Sequence, residues 1–207
     1  MPTPSSPIIR RADAKDAGAV FAVLDEALRD DPFVAWLARP GLGHARARRS
    51  YLRLMLCRIA LPRGLVHIAE VDGAAVGAAL WAPPRSFELS AADTLRFLPV
   101  MLEIVGLSRM PQVTRVLDRI DEARPPEPRW LLTLVGTLPA HRRRGIGSAL
   151  LDPVLARCDA EGLPAVLETA NADNLGFYRR LGFRRTADRA LGAGGPTSWT
   201  LVRPGAR

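Results

Sequence analysis

The stretch from Trp130 to Ser148 constrains the fold more than any other part of the chain. Trp130-Leu131-Leu132-Thr133-Leu134-Val135-Gly136 is a nearly continuous apolar run, the composition of a central strand buried on both faces. Thr137-Leu138-Pro139-Ala140-His141 leads out of it, Arg142-Arg143-Arg144-Gly145-Ile146-Gly147-Ser148 follows, and a helical pattern begins at once. Glycines let a backbone approach a ligand closely and adopt conformations closed to other residues. A helix start adds unpaired N–H groups and the positive end of a dipole. Together they predict a strand–turn–helix unit able to cradle an anion such as a pyrophosphate. An ordinary strand-to-helix connection is the alternative. The loop is neither a P-loop, which ends in Gly-Lys-Ser/Thr, nor the dinucleotide fingerprint, which has a third glycine and an acidic residue closing the next strand.

Around this unit the chain reads as one mixed α/β (α+β) domain over residues 1–207. Ile8 to Arg11 predicts a first strand, and Asp13 or Asp16 caps a helix with Val20, Phe21, Leu24 and Leu28 at helical spacing. Asp30-Asp31-Pro32 breaks that helix. A second helix is expected over Ala45 to Ile59, with Tyr51, Leu52, Met55, Leu56 and Ile59 as its apolar stripe. Leu65 to Val71, Asp72-Gly73 and Ala74 to Trp81 form a hairpin signal, because Asp-Gly supplies the positive φ angles of a tight turn. Residues 90–128 read as a helical cover, broken at Pro99 and Pro111, followed by the linker Pro125-Pro126-Glu127-Pro128. Beyond the glycine loop, a helix is expected over Gly145 to Glu161, with Pro153 inside it. Then come a strand at Ala165 to Thr169, a helix at Asn174 to Leu181, and strands at Phe183 to Asp188 and Ser198 to Val202.

Composition narrows the function classes. No apolar run approaches the roughly 20 residues of a membrane span, and residues 1–7 read as a flexible tail without a secretory leader's pattern. Cys57 and Cys158 stand far apart, as in a reduced cytoplasmic chain. The three histidines are scattered, so no metal site is expected. The net charge of +8 is almost all arginine, Lys15 being the one lysine, and suits an anionic cofactor as well as nucleic acid. No nucleic-acid-binding module is visible in the sequence.

Two ordered motifs carry a family resemblance. Arg142-x-x-Gly145-x-Gly147 after an apolar strand resembles the acetyl-coenzyme A loop of the GNAT superfamily of N-acetyltransferases. Asn174-Leu175-Gly176-Phe177-Tyr178-Arg179-Arg180-Leu181-Gly182-Phe183 resembles that family's Asn-x-x-x-Tyr-x-x-x-Gly-Phe segment. From Pro128 onward, Gly147-Ser148-Ala149, Leu167-Glu168-Thr169 and Thr197-Ser198-Trp199-Thr200 are similar to the puromycin N-acetyltransferase-like bacterial branch. The resemblance implies a mostly antiparallel twisted sheet with a splayed parallel strand pair, flanked by helices. It further implies an acyltransferase that moves acetyl from acetyl-CoA, without a metal, to a primary amine of a small molecule by direct attack. Other readings are a protein or peptide N-acetyltransferase, and a non-catalytic coenzyme- or nucleic-acid-binding module. Pairing into a homodimer through the C-terminal strands is also implied.

Carried over by resemblance, Val135, Gly136 and Thr137 would bond the pantetheine arm, and the N–H groups of Arg143, Arg144, Gly145, Ile146, Gly147 and Ser148 would hold the pyrophosphate. Arg142 would support the cradle through charge-assisted hydrogen bonds. Asn174 would face the coenzyme arm, or serve as a helix cap. Tyr178 is the expected acid for the leaving thiolate, the alternative being an aromatic packed with Phe177 and Phe183. A carboxylate on a central strand is costly without a partner, which makes Glu168 the candidate base or, alternatively, half of a structural ion pair. The acidic pair Asp30-Asp31, near Phe33 and Trp36, is the candidate anchor for a cationic acceptor, with Asp31 the favoured residue, or, alternatively, an exposed helix-ending loop; Trp81 and His67 are further candidates for the cleft lining.

Overall fold

The computed structural model describes residues 6–86, 91–126, 128–192 and 194–206. Apart from Ser6 and Pro7, the expected tail lies outside these residues, as does Ser90 at the expected start of the cover. Seven strands form one sheet in the order β1-β2-β3-β4-β5-β7-β6. They are β1 (Ile8–Arg11), β2 (Leu65–Val71), β3 (Ala74–Ala82), β4 (Trp130–Thr137), β5 (Ala165–Thr169), β6 (Arg184–Ala190) and β7 (Thr197–Arg203). Every pairing is antiparallel except β4 with β5. The β2–β3 turn is the expected one: Val71 faces Ala74, with φ of 51° at Asp72 and 78° at Gly73.

The parallel pair is short. Trp130 faces Ala165, Leu131 faces Val166 and Leu132 faces Leu167, and there the register ends although β4 continues to Thr137. At the same level β4 carries an extra residue, since Leu132 faces Trp81 and Leu134 faces Leu80. The extra residue is Thr133, whose hydroxyl donates to the Leu80 carbonyl at 3.0 Å. A bulge of this kind bends a strand and adds local twist, and here it coincides with the parting of β4 from β5.

Helices cover both faces. One face takes α1 (Ala17–Ala27), α3 (His44–Arg53), the wide π turn Leu54–Ala60 that continues it into the short α4 (Leu61–Arg63), and α5 (Ala91–Val105). The other takes α7 (Ile146–Glu161), which runs on through Pro153, and α8 (Leu175–Arg180). Two details differ from the sequence expectation. Asp30-Asp31-Pro32 ends α1 but also starts α2 (Pro32–Leu37), because Asp31 caps it and Pro32 occupies its first turn. In the cover, α5 passes through Pro99, and the break falls at Gly106, whose φ of 82° only glycine adopts readily. Pro111 then sits in the first turn of α6 (Met110–Glu122), where its missing N–H costs nothing.

The cover packs as a wall. Val116 and Ile120 of α6 cluster with Ala170, just after β5, and Leu191, just after β6, flanked by Phe33 and Trp36 of α2. Arg109, in the turn before α6, donates to the carbonyls of Trp36, Leu37 and Ala38 and so satisfies the C-terminal end of α2. Thus α6 bridges from α2 to the loops at the C-terminal end of β5.

Candidate active site

The glycine loop behaves as its composition predicts. Arg143 and Gly145 both take left-handed conformations, with φ of 62° and 79°. For the arginine this is a strained geometry of the sort retained at functional sites. Gly145 caps α7 without a side-chain hydrogen bond, and the helix ladder begins with the Ala149 N–H on the Gly145 carbonyl. No backbone acceptor among the described residues takes the N–H groups from Arg143 to Ser148. Ile146 is buried in the core, so its contribution to the cradle is its backbone. A Cβ on Gly147 would stand 3.2 Å from the Phe177 ring, which brings α8 against the first turn of α7.

Arg142 turns away from the cradle's interior. Its Nε donates to the Thr137 carbonyl at 3.3 Å and its Nη2 to the Ala27 carbonyl at 3.1 Å, tying the loop to the ends of β4 and α1. Gly136 is a glycine because a Cβ there would lie 2.7 Å from the Ala27 Cβ. Beyond Leu132 the β5-facing edge of β4, through Val135, Gly136 and Thr137, has no strand beside it among the described residues. An amide-bearing arm fits such an edge as an added strand would. Asn174 stands at the N-cap of α8 but makes no side-chain capping bond, so the capping role is not the one it plays here.

Tyr178 takes the packed aromatic position beside Phe177 and Phe183. Its ring lies in the core between Phe177, at 5.0 Å, and Phe183, at 5.8 Å, and the residue is only 5% exposed. Burial, with the Asp31 charge as a second cause, raises the phenol above its ordinary pKa, so it stays protonated at neutral pH. Glu168 faces Thr200 across the β5–β7 register. Its Oε2 accepts from the Thr200 hydroxyl at 3.1 Å and the Ser198 hydroxyl at 3.5 Å. Its Oε1 is buried without a hydrogen bond and lies 3.5 Å from Arg124 Nε, which is likewise buried and unbonded. Burial dominates and raises the Glu168 carboxyl above its ordinary value, against the lowering effect of Arg124 and the two hydroxyls.

Asp31 caps α2 through one oxygen, Oδ1, which accepts from the N–H groups of Phe33 and Val34 at 3.0 Å each. Burial raises its pKa, and these two bonds oppose the shift. Phe33 and Trp36 are half-buried with ring centroids 5.9 Å apart, and the Arg109 guanidinium lies over Trp36. Trp81 is a correction to the expected cleft lining. It is 1% exposed and packs with Trp130, Leu132 and the α7 side chains, because alternation along β3 turns it toward that helix. His67 is also buried, on β2.

Two groups of the site escape sequence reasoning. Tyr51 reads as part of an apolar stripe, yet its phenol is raised by burial and by Asp31, while Arg124 pulls it down. Arg124 itself opens the proline-rich linker and carries no motif. Only tertiary packing brings them beside Asp31 and Glu168. Two surface depressions, of about 670 and 650 Å³, lie around Ala17 and Cys57, at the opposite end of α1 from the glycine loop. Among the described residues no helix is long and apolar enough to cross a membrane.

Comparison with known proteins agrees with this geometry. Residues 28–183 match the model of the acetyltransferase (GNAT) family. An uncharacterized N-acetyltransferase of Schizosaccharomyces pombe is 26% identical over 197 residues, covering 84% of this chain and 73% of that protein. The crystal structure of a Corynebacterium glutamicum protein, described as histone acetyltransferase HPA2 and related acetyltransferase, superposes with a TM-score of 0.72 at 26% identity, over 98% of both chains. A Drosophila melanogaster polyamine N-acetyltransferase that forms N-acetylagmatine has the same fold, with a TM-score of 0.60 at 16% identity over 96% of this chain and all of that one. The matched residues span the parted strands, the left-handed turn and the helix carrying Tyr178, and the chain belongs to the GNAT family of acetyltransferases.

Proposed function

We propose that this acetyltransferase moves the acetyl group of acetyl-CoA to a primary amine of a small molecule. The observation that carries the small-acceptor reading is α6, which packs against α2 and the loops after β5 and β6. A protein or peptide acceptor needs an open groove there. The N–H groups from Arg143 to Ser148 hold the pyrophosphate, and the free edge of β4 from Val135 to Thr137 takes the pantetheine arm. From Pro128 onward the motifs favour the puromycin N-acetyltransferase-like branch, and two free thiols suit the cytoplasm.

In this reading the amine nitrogen attacks the thioester carbonyl carbon, an N–C bond forms and the C–S bond breaks. Glu168 receives the proton lost by nitrogen, its raised pKa making it the stronger base. The Tyr178 hydroxyl protonates the departing sulfur, which leaves poorly as a thiolate. Differential scanning with acetyl-CoA tests the coenzyme assignment: ligand at a hundred times its Kd adds about 2.7 kcal/mol, and an unmoved Tm at millimolar coenzyme would refute it. Tyr178→Phe should lower kcat by about 10- to 1,000-fold with the acetyl-CoA stabilisation retained. Unchanged turnover would leave Tyr178 as a core residue only.

A further inference from the structure

Arg124 is a largely buried cation that no sequence motif accounts for, and the chain around it fixes its place. It stands two residues past the end of α6, and its Nη1 donates to Asp121 Oδ1 at 3.0 Å. Arg129, just before β4, donates to the same oxygen at 3.2 Å and to the Pro125 carbonyl at 2.7 Å, so Asp121 holds both ends of the linker. The Arg124 Nε is left over. It is buried, makes no hydrogen bond and lies 3.5 Å from Glu168 Oε1. That oxygen is buried and unbonded too, while Oε2 accepts from the Thr200 and Ser198 hydroxyls. Among the described residues these three are the only side chains paired with the Glu168 carboxyl, Arg124 coming from the end of α6 and the two hydroxyls from β7.

A buried carboxylate that acts as a base meets two opposed demands. Burial strengthens it as a proton acceptor, but burial alone leaves it protonated before the reaction begins. An opposite charge within about 4–6 Å restores the ionised form. Arg124 supplies that charge without occupying the oxygen: at 3.5 Å with both atoms unbonded the contact is one of charge, and Oε1 stays open to a proton. Burial and Arg124 pull the Glu168 carboxyl in these opposite directions, burial the more strongly. Resting on the acetyl-transfer reading with Glu168 as base, we propose that Arg124 is a positioning residue whose guanidinium, anchored through Asp121 at the end of α6, keeps Glu168 ionised with Oε1 free. Arg124 acts through Glu168. As the N–C bond forms, the proton leaves the amine nitrogen for Oε1, and the guanidinium keeps all its own protons throughout.

The experiment titrates the Glu168 carboxyl carbon by NMR in protein carrying isotopically labelled glutamate, its signal being the one lost in Glu168→Gln. In Arg124→Gln the midpoint should rise by about 1–2 pH units, and Arg124→Lys, which returns the charge, should recover at least about half of that rise. An unmoved midpoint overturns the proposal and leaves Arg124 as a brace for the linker. Folding gives a second readout, because a buried Glu168 without its counter-charge is tolerated best when protonated. The Tm of Arg124→Gln should fall further below wild type at about pH 8 than at about pH 5, and an equal loss at both overturns the proposal. So does failure to fold at either pH by this variant and by Arg124→Met. In coenzyme A release with butylamine, or the best of a primary-amine panel, the amine's own titration cancels between the two enzymes. Wild-type kcat/KM should exceed that of Arg124→Gln by about 10- to 100-fold below both midpoints and by no more than about threefold above them; a ratio constant with pH overturns the proposal. If Glu168→Gln keeps full turnover, the base reading itself falls, and a displaced midpoint then reports an ion pair outside the chemistry.

Discussion

Replacing Glu168 by glutamine separates its two roles, because the structure gives each a different magnitude. The amide oxygen of the Glu168→Gln side chain can still accept from the Thr200 hydroxyl, so the β5–β7 contact survives. What is lost is the charge facing Arg124. Breaking a fully buried ion pair costs about 3–5 kcal/mol. This pair is 3.5 Å long, its side chains are 14% and 11% exposed, and Arg124 keeps Asp121 at 3.0 Å. A cost of about 1–2 kcal/mol is therefore expected, or a Tm about 2–8 °C lower for a chain of this size. Removal of a proton acceptor, in contrast, lowers turnover about 100- to 10,000-fold. Scanning calorimetry reads the first quantity, and release of free coenzyme A thiol reads the second. A kcat within about fivefold of wild type, whatever the change in Tm, would refute the base assignment and leave Glu168 as a strut for α6.

Gly147→Ala would press a methyl group against Phe177 at 3.2 Å in the floor of the cradle; acetyl-CoA affinity should fall about tenfold by isothermal titration, with Tm lowered by no more than about 4 °C. Exposed Cys57 should react with an alkylating reagent in the native protein, whereas buried Cys158, its thiol pushed up to about 12, should react only after denaturation; mass spectrometry showing two native adducts would contradict this. Burial holds the Asp31 and Glu168 carboxyls above their ordinary values of 3.8 and 4.5. The folded state thus keeps protons that the unfolded chain has released, and these two groups make stability fall as pH rises from about 4 through the raised values. The difference in unfolding free energy between wild type and the Asp31→Asn, Glu168→Gln double variant should shift against wild type over that window. A pH-independent difference would rule the effect out.

What the sequence discloses follows from the range of the forces involved. The Asp72-Gly73 hairpin, the β4 run and the glycine turn are local, set by backbone preference and periodicity within a few residues. So is the order of α7, β5, α8, β6 and β7. The α2 helix is hidden because Asp31-Pro32 reads equally as a stop and as a start, and the helix is only six residues long, too short to show periodicity. Proline misleads in α5, where packing outweighs the lost bond at Pro99 and Gly106 makes the turn instead. Trp81 is misassigned to the cleft because the face on which a strand residue points depends on the whole sheet. Tyr51 and Arg124 cannot be read as site groups at all, since what brings them to Asp31 and Glu168 is the docking of the cover on α2 and α3.

The wall formed by α6 has an evolutionary consequence. Every residue assigned to the coenzyme comes after Trp130, whereas α2, α3, α5 and α6 are contributed by the chain before it. On the proposed reading, selectivity for the acceptor and grip on the acetyl donor are written in separate halves of the gene. On that reading, substitutions in the earlier half would remodel one substrate's pocket while the machinery for the other is inherited unchanged.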